Sequence, residues 1–466
     1  MRLSLGLVLA GALVGAALIV LIGQALLAPA VSLITEAQFA HEVITPNADG
    51  SDDVTIFSYE ITRTAAVSLV FEGAGGSRFA FREDQLRTPQ RYQVAFSGVV
   101  DGFSLPDDPQ IDHQITRRLI PDDTYTWRLT AVDVESGSQE ERMGQIVVRD
   151  GDAPLPLISE FTVFPVEFTP NQDGIHDRTQ VNVYLEKQAD LKVYLLPIDG
   201  SAEPIYLTER LEDVLPGERG RHQYDYDGGV DNNADPPPDG SYVIVAEAQD
   251  VVGQNIRRSA ELTIQDGGKP FAEIVPQTIG VTVVFETRPW DDRFTTTLEQ
   301  PGDLIDPPQD PDSLTRTTVS LPLGDLLVFK LTVENYSAVP LRTTGPEPGT
   351  VYRWDQRAAT LGLTDEPGAW RVGLDCMSAP SDYPWRWALG SRETLDVVVD
   401  PDADVEYLYL PPGERVVVWG AVRMTEVGTR NPQNCWAGLI HEDVEVSQVN
   451  ANVGARSIFL QEAAGG

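Results

Sequence analysis

Apolar residues along this chain return at every second position and almost never with helical spacing. Ala65, Val67, Leu69 and Phe71 form one such series, and Ala189, Leu191, Val193 and Leu195 form another. Tyr125, Trp127, Leu129 and Ala131 alternate in the same way, as do Tyr242, Ile244, Ala246 and Ala248, and a last alternating segment follows each, ending at Val148 and Ile264. This period places alternate side chains on one face of a strand and predicts sheets with one buried side. Further strands are predicted over Val281–Phe285, Leu326–Asn335, Leu395–Val399, Leu408–Leu410 and Arg415–Val422, while 298–313 reads as a Pro- and Asp-rich loop. Helical heptads are missing throughout, so the expected fold is all-β.

The strands fall into a repeat. Thr45-Pro46-Asn47-Ala48-Asp49-Gly50 recurs as Thr169-Pro170-Asn171-Gln172-Asp173-Gly174, and the alternating series that follow keep the same offset. Pro121-Asp122-Asp123-Thr124-Tyr125 likewise returns as Pro238-Asp239-Gly240-Ser241-Tyr242. Two homologous β-modules are therefore expected, over 31–152 and 153–268. The Thr-Pro-Asn-x-Asp-Gly opening, the Ala-x-Leu-x-Val strand and the Pro-Asp-Gly-x-Tyr strand resemble the FlgD-type immunoglobulin-like domain, which is widespread in secreted bacterial proteins. The second copy fits the pattern better. The first has Asp123 where the family has Gly, and a longer excursion between Val100 and Ile120. The resemblance implies tandem immunoglobulin-like β-sandwiches and an extracellular setting, and it implies no reaction.

The remainder, 269–466, reads as a larger C-terminal β-sandwich domain of another kind. Its pairing of Gly324-Asp325 before one strand with Pro411-Pro412-Gly413-Glu414 before another loosely resembles bacterial immunoglobulin-like adhesion modules. Pro340–Gly345 and Gly368–Gly373 match nothing familiar and read as loops particular to this chain.

The ends and the charge place the molecule. Leu5 to Gly23 carries no polar side chain, and only Arg2 precedes it with positive charge. As a helix this run spans about one hydrocarbon core. It is expected to be a signal peptide, cut near Ala28-Pro29-Ala30, or a signal-anchor helix with a cytoplasmic N-terminus. With 71 acidic against 34 basic residues, the formal charge is -37. That balance repels nucleic acid and excludes a polyanion-binding role. Only Cys376 and Cys435 occur, and in an oxidising compartment they are expected to form one disulfide.

Candidate chemistry is sparse. The two acidic loops set side-chain oxygens at alternate positions around a Gly, at Asn47, Asp49 and Asp52 and at Asn171, Asp173 and Asp177. Calcium loops do this, and so do Asx-type turns. The run from Asp231 to Asp235 has the same ambiguity. No cofactor other than calcium is suggested. Seven of the eight tryptophans lie at 290 and beyond, and Trp385 and Trp387, two apart on a strand, share a face. With Tyr383 and Arg386 they are the candidate ligand-binding residues, as a stacking platform, against the ordinary role of Trp in cores. Asn335-Tyr336-Ser337 fits a glycosylation sequon. The five histidines are scattered and no nucleophile or phosphate motif occurs, so no enzyme is expected. The expectation is an exported cell-envelope protein with a structural, adhesive or protein-interaction role, on the extracellular side of the membrane or secreted. Its expected partners are envelope proteins or surface glycans, and the membrane if the N-terminal segment is uncleaved. A carbohydrate-binding surface protein is the alternative, and a secreted glycoside hydrolase the remote one, recognisable by two carboxylates about 5 to 10 Å apart in an aromatic cleft.

Overall fold

A computed structural model describes residues 13–17, 32–106, 108–109, 112–200, 202–211, 214–278, 280–287, 299–308, 317–361, 366–400, 404–446 and 449–461. Residues 13–17 are helical, and the rest of the N-terminal apolar segment lies outside the described residues, as do Trp290 and positions 298 and 309–313 of the 298–313 loop. No helix among the described residues is long and apolar enough to cross a membrane. Among the described residues from Ile34 onward, the regular elements are strands apart from two short 3-10 turns.

The two repeats share one strand plan. In the second, the strands Ile158–Phe164, Thr179–Leu185, Gly220–Tyr226 and Glu209–Arg210 form one sheet, in that order. Ile205–Tyr206, Asp190–Pro197, Gly240–Gln249 and Asn255–Ile264 form the other, with Glu167–Phe168 lying parallel to the last. This is the A-B-E-D sheet facing the C-F-G sheet of an immunoglobulin sandwich. The first repeat follows suit: Ile34–Phe39, Thr55–Ile61 and Gln90–Phe96 face Val43–Ile44, Gln139–Val148, Asp123–Asp133, Ala65–Glu72 and Arg78–Arg87. Inward positions of the alternating series are buried: Val67, Leu69 and Phe71 in one copy, Val193 and Leu195 in the other. Both copies carry a tyrosine corner. Tyr125 donates its hydroxyl to the Pro121 carbonyl at 2.7 Å, and Tyr242 donates to Pro238 at 2.6 Å. Each domain also closes alike. The Asp122 carboxylate accepts the Asp150 and Gly151 N–H groups, and Asp239 accepts those of Asp266 and Gly267.

The excursion between Val100 and Ile120 is where the copies part. It supplies a hairpin, Val99–Asp101 with Gln114–Leu119, whose second strand pairs antiparallel with Asn255–Ile264 of the next domain. The second domain's sheet thus gains two strands from the first. Thr116 donates its hydroxyl to the Asn255 carbonyl at 3.1 Å. Gln254, with no exposed surface, accepts the Leu119 N–H and donates to the Asp152 and Pro154 carbonyls of the linker. Lys187 pairs with Asp152 and Asp250, each at 2.7 Å. A sequence feature that departed from the family pattern is therefore the joint between the domains.

The C-terminal domain packs a sheet containing Ala272–Val275, Leu326–Asn335, Arg415–Arg423 and Val351–Arg353 against one containing Thr318–Pro322, Val453–Gln461, Gln433–His441, Trp370–Cys376 and Trp385–Ala388. A small third sheet joins Leu341–Thr343, Val405–Leu410 and Asp396–Asp400. Cys376 and Cys435 sit directly opposite on paired strands and are joined in a disulfide.

Two outcomes are expected. Ile115→Pro, which removes an N–H from the strand added to the second domain, should resolve the first two domains into separate calorimetric transitions; one unchanged transition would show that the shared sheet does not couple them. Replacing both cysteines by Ser should lower the stability of the C-terminal domain by about 4 kcal/mol on the loop-entropy account, read from urea unfolding of the full chain.

Candidate functional site: the acidic loops and their docking face

The two acidic loops are the same object twice. In the first, the Asn47 side chain accepts the Asp49 N–H at 3.0 Å, and Asp49 accepts the Ser51 N–H at 2.8 Å. Asp53 closes the loop, accepting N–H groups from Asn47, Ala48 and Gly50. In the second, Asn171 accepts Asp173 N–H at 3.0 Å, Asp173 accepts Ile175 N–H at 2.8 Å, and Asp177 accepts from Asn171, Asp173 and Gly174. Ala48 and Gln172 occupy the left-handed region in turn, at φ 63° and 57°, as do Gly50 and Gly174. Side-chain oxygens of Asn47, Asp49, Asn171, Asp173 and Asp177 thus accept backbone N–H groups of their own loops, which is the Asx-turn arrangement. Asp52 stands exposed outside this network. Asp231 likewise serves the Arg178 guanidinium and the Gln172 amide.

The surroundings of the two loops differ. Ala48, Asp49 and Gly50 are exposed, and the space where Gly50 would carry a Cβ is open. Asn171 and Asp173 are buried, and a Cβ on Gly174 would lie 2.0 Å from the Pro367 carbonyl oxygen. The second loop is plugged into the C-terminal domain. Two parts of its seat, Arg342 and Gly368, come from the stretches that matched nothing familiar. Arg342, 4% exposed, donates to the Asp173 carbonyl, to the Pro367 carbonyl and to Glu366. Tyr409 donates its hydroxyl to the Asp173 carboxylate at 2.8 Å. His441 donates from Nε2 to the Gln172 carbonyl at 2.7 Å, with its ring stacked on Trp370 at 4.4 Å. Beneath the seat, buried Glu442 pairs with Arg371 at 3.1 Å and Arg386 at 2.6 Å.

Burial sets the electrostatics of the plug. It raises the Asp173 carboxyl above its ordinary range, against the hydroxyl of Tyr409 and the charge of Arg342. It pushes Asp177 up to about 6, helped by the Asp173 charge and opposed by the loop's N–H donors. In the exposed copy, desolvation also acts on Asp53 but the N–H groups of Gly50, Ala48, Asn47 and Asp49 prevail and hold it low. Burial holds His441 down to about 4.

The other candidate residues sit elsewhere. Trp385 and Trp387 have no exposed surface, and Tyr383 has 7%. Trp387 donates to the Thr350 carbonyl and packs edge-on to Phe329 and Tyr352, while Trp385 packs on Trp354. The expectation of a stacking platform is corrected: the strand turns both indoles inward, and Arg386 is occupied by Glu442. The sequon is also occupied, since Asn335 is fully buried and donates to the Val339 and Leu410 carbonyls. Clefts of about 960 and 580 Å³ flank the docked loop. Phe271 and Tyr336 line the larger together with Asp231. Desolvation opposes it, but Gln172 and Arg178 hold the Asp231 carboxyl low, the opposite of what a glycosidase acid needs.

No protein-family model and no curated protein matches the chain. Among solved structures it is similar to the fibronectin(III)-like modules of Clostridium thermocellum CbhA, at 11% identity over 50% of this chain and 95% of that one, with a TM-score of 0.19. It is also similar to the D00-D0 domain of Intimin, at 11% identity over 50% and 100%, with a TM-score of 0.15. At these scores neither likeness carries an argument, and the immunoglobulin-like reading rests on the strand order.

Asp177 and His441 make a paired prediction. A carboxyl raised from 3.8 to about 6 contributes stability at low pH that is lost as pH rises through 6. A histidine depressed from 6.5 to about 4 contributes stability at high pH that is lost as pH falls toward 4. Over this window the two oppose each other. Asp177→Asn should therefore lose about 2 kcal/mol relative to the parent between pH 6 and pH 4, seen in urea unfolding at each pH; parallel curves would show that Asp177 stays ionised.

Proposed function

We propose that the chain is an exported bacterial cell-envelope protein in which two immunoglobulin-like domains of the FlgD type space a C-terminal contact domain away from its point of attachment. The observation that carries this reading is that both joints are fixed, one by a sheet shared across domains and the other by a loop seated among buried hydrogen bonds. A spacer gains from such joints, because a freely hinged array would not hold its last domain at a set distance. The N-terminal apolar run, the acidic surface and the single disulfide support export. Burial of Trp385 and Trp387 takes away the main support for a carbohydrate-binding role, so the contact made by the C-terminal domain is read as protein to protein, without a catalytic step.

The reading is tested in the producing cells. Protease added outside intact cells should degrade the C-terminal domain, and the mature protein should begin near residue 31 or retain Met1. Full protection until the cells are lysed would overturn the export reading.

A further inference from the structure

The first domain carries a free copy of the plug. Thr45–Asp53 repeats the internal hydrogen bonds by which Thr169–Asp177 holds its shape, including the hydroxyl of Thr45 to the Ser51 carbonyl at 2.8 Å and of Thr169 to the Ile175 carbonyl at 2.9 Å, except that the closing aspartate takes its third N–H from Ala48 in the first loop and from Asp173 in the second. The atoms that the C-terminal domain grips on the second loop are the Gln172 and Asp173 carbonyls and the Asp173 carboxylate. Their counterparts belong to Ala48 and Asp49, which are exposed.

A second observation sets this loop apart from an ordinary exposed turn. The two limbs leading into it are tied by Ala40 N–H to the Ile56 carbonyl and Thr45 N–H to the Asp52 carbonyl. Between and beside those ties stand Val43, Val54 and Ile56, exposed at 37%, 50% and 37%. The second copy has Glu167, Arg178 and Gln180 at these positions, and Arg178 is held by Asp225. The free loop therefore sits among apolar side chains where the seated one has polar side chains.

We propose that the Thr45–Asp53 loop is a second docking plug, and that its partner is a protein face of the same chemistry as the seat on the C-terminal domain. Such a face offers a buried guanidinium to the Asp49 carbonyl, a hydroxyl to the Asp49 carboxylate and a flat backbone approach against Gly50, with an apolar rim for Val43, Val54 and Ile56. An acidic plug of this shape selects a cationic, hydroxyl-bearing seat. The proposal goes beyond the envelope reading and stands whether or not the chain is exported.

The seat of this protein is itself the probe. In the full chain, Gly174→Leu cannot lie against Pro367, and Asp173→Arg removes the acceptor of Tyr409, so either change vacates the seat while leaving it intact. Each vacated chain, checked for native circular dichroism, is examined by sedimentation velocity from 1 to 100 μM, concentrations suited to a weak transient contact. The expected result is concentration-dependent association of both vacated chains, with at least a tenfold weaker constant when Gly50→Leu is added. Vacated chains that stay monomeric, or that associate equally with and without Gly50→Leu, would overturn the proposal.

Discussion

A single carboxylate that accepts three backbone N–H groups from its own loop is the constraint on which the arrangement rests. Without Asp53 or Asp177 in this role, a stretch with two left-handed residues and a left-handed glycine would leave its donors unmet. With it, the loop has one shape wherever it is placed. That fixed shape lets the second copy act as a plug, because the loop turns the carbonyls of Gln172 and Asp173 toward His441 and Arg342 and the Asp173 carboxylate toward Tyr409. The docking thus orders few new rotors on the loop side, and the burial it imposes is visible in the opposite behaviour of Asp53 and Asp177.

The sheets were legible in the sequence because alternation reports burial directly, and the repeat made both sandwiches readable at once. Strand ends moved by a few positions: Val281–Phe285 became Val283–Thr287, and Leu408–Leu410 became Val405–Leu410. The ambiguous spacing of Asn and Asp around Gly was not resolvable from residue types, since a turn and a cation ask for the same oxygens. In the structure Asp177 points at the N–H groups of its own loop, as an Asx-type turn requires. The tryptophan pair failed as a site for a related reason. Spacing says that Trp385 and Trp387 share a face, and says nothing of which face is covered.

The joints were the least legible part, because both are made by residues far apart in the chain. The hairpin from Val99 to Leu119 looked like an irregularity of the first domain, yet its partner is the last strand of the second. Arg342 and Gly368 lay in stretches without pattern, since a seat for a loop is built from scattered single donors and acceptors and needs no periodicity. The signal available beforehand was a difference between copies: an insertion present in only one of two equal domains has to be accommodated somewhere outside the shared fold.

That insertion also dictates a schedule. Thr116 meets Asn255 across a sequence separation of 139, so when the first domain emerges during synthesis its arm has no strand to join. The arm must wait with an open edge until the end of the second domain follows. The first domain is thus complete as a sandwich but unfinished as a surface until its neighbour has folded, and the order in which the chain appears becomes the order in which its joints are made.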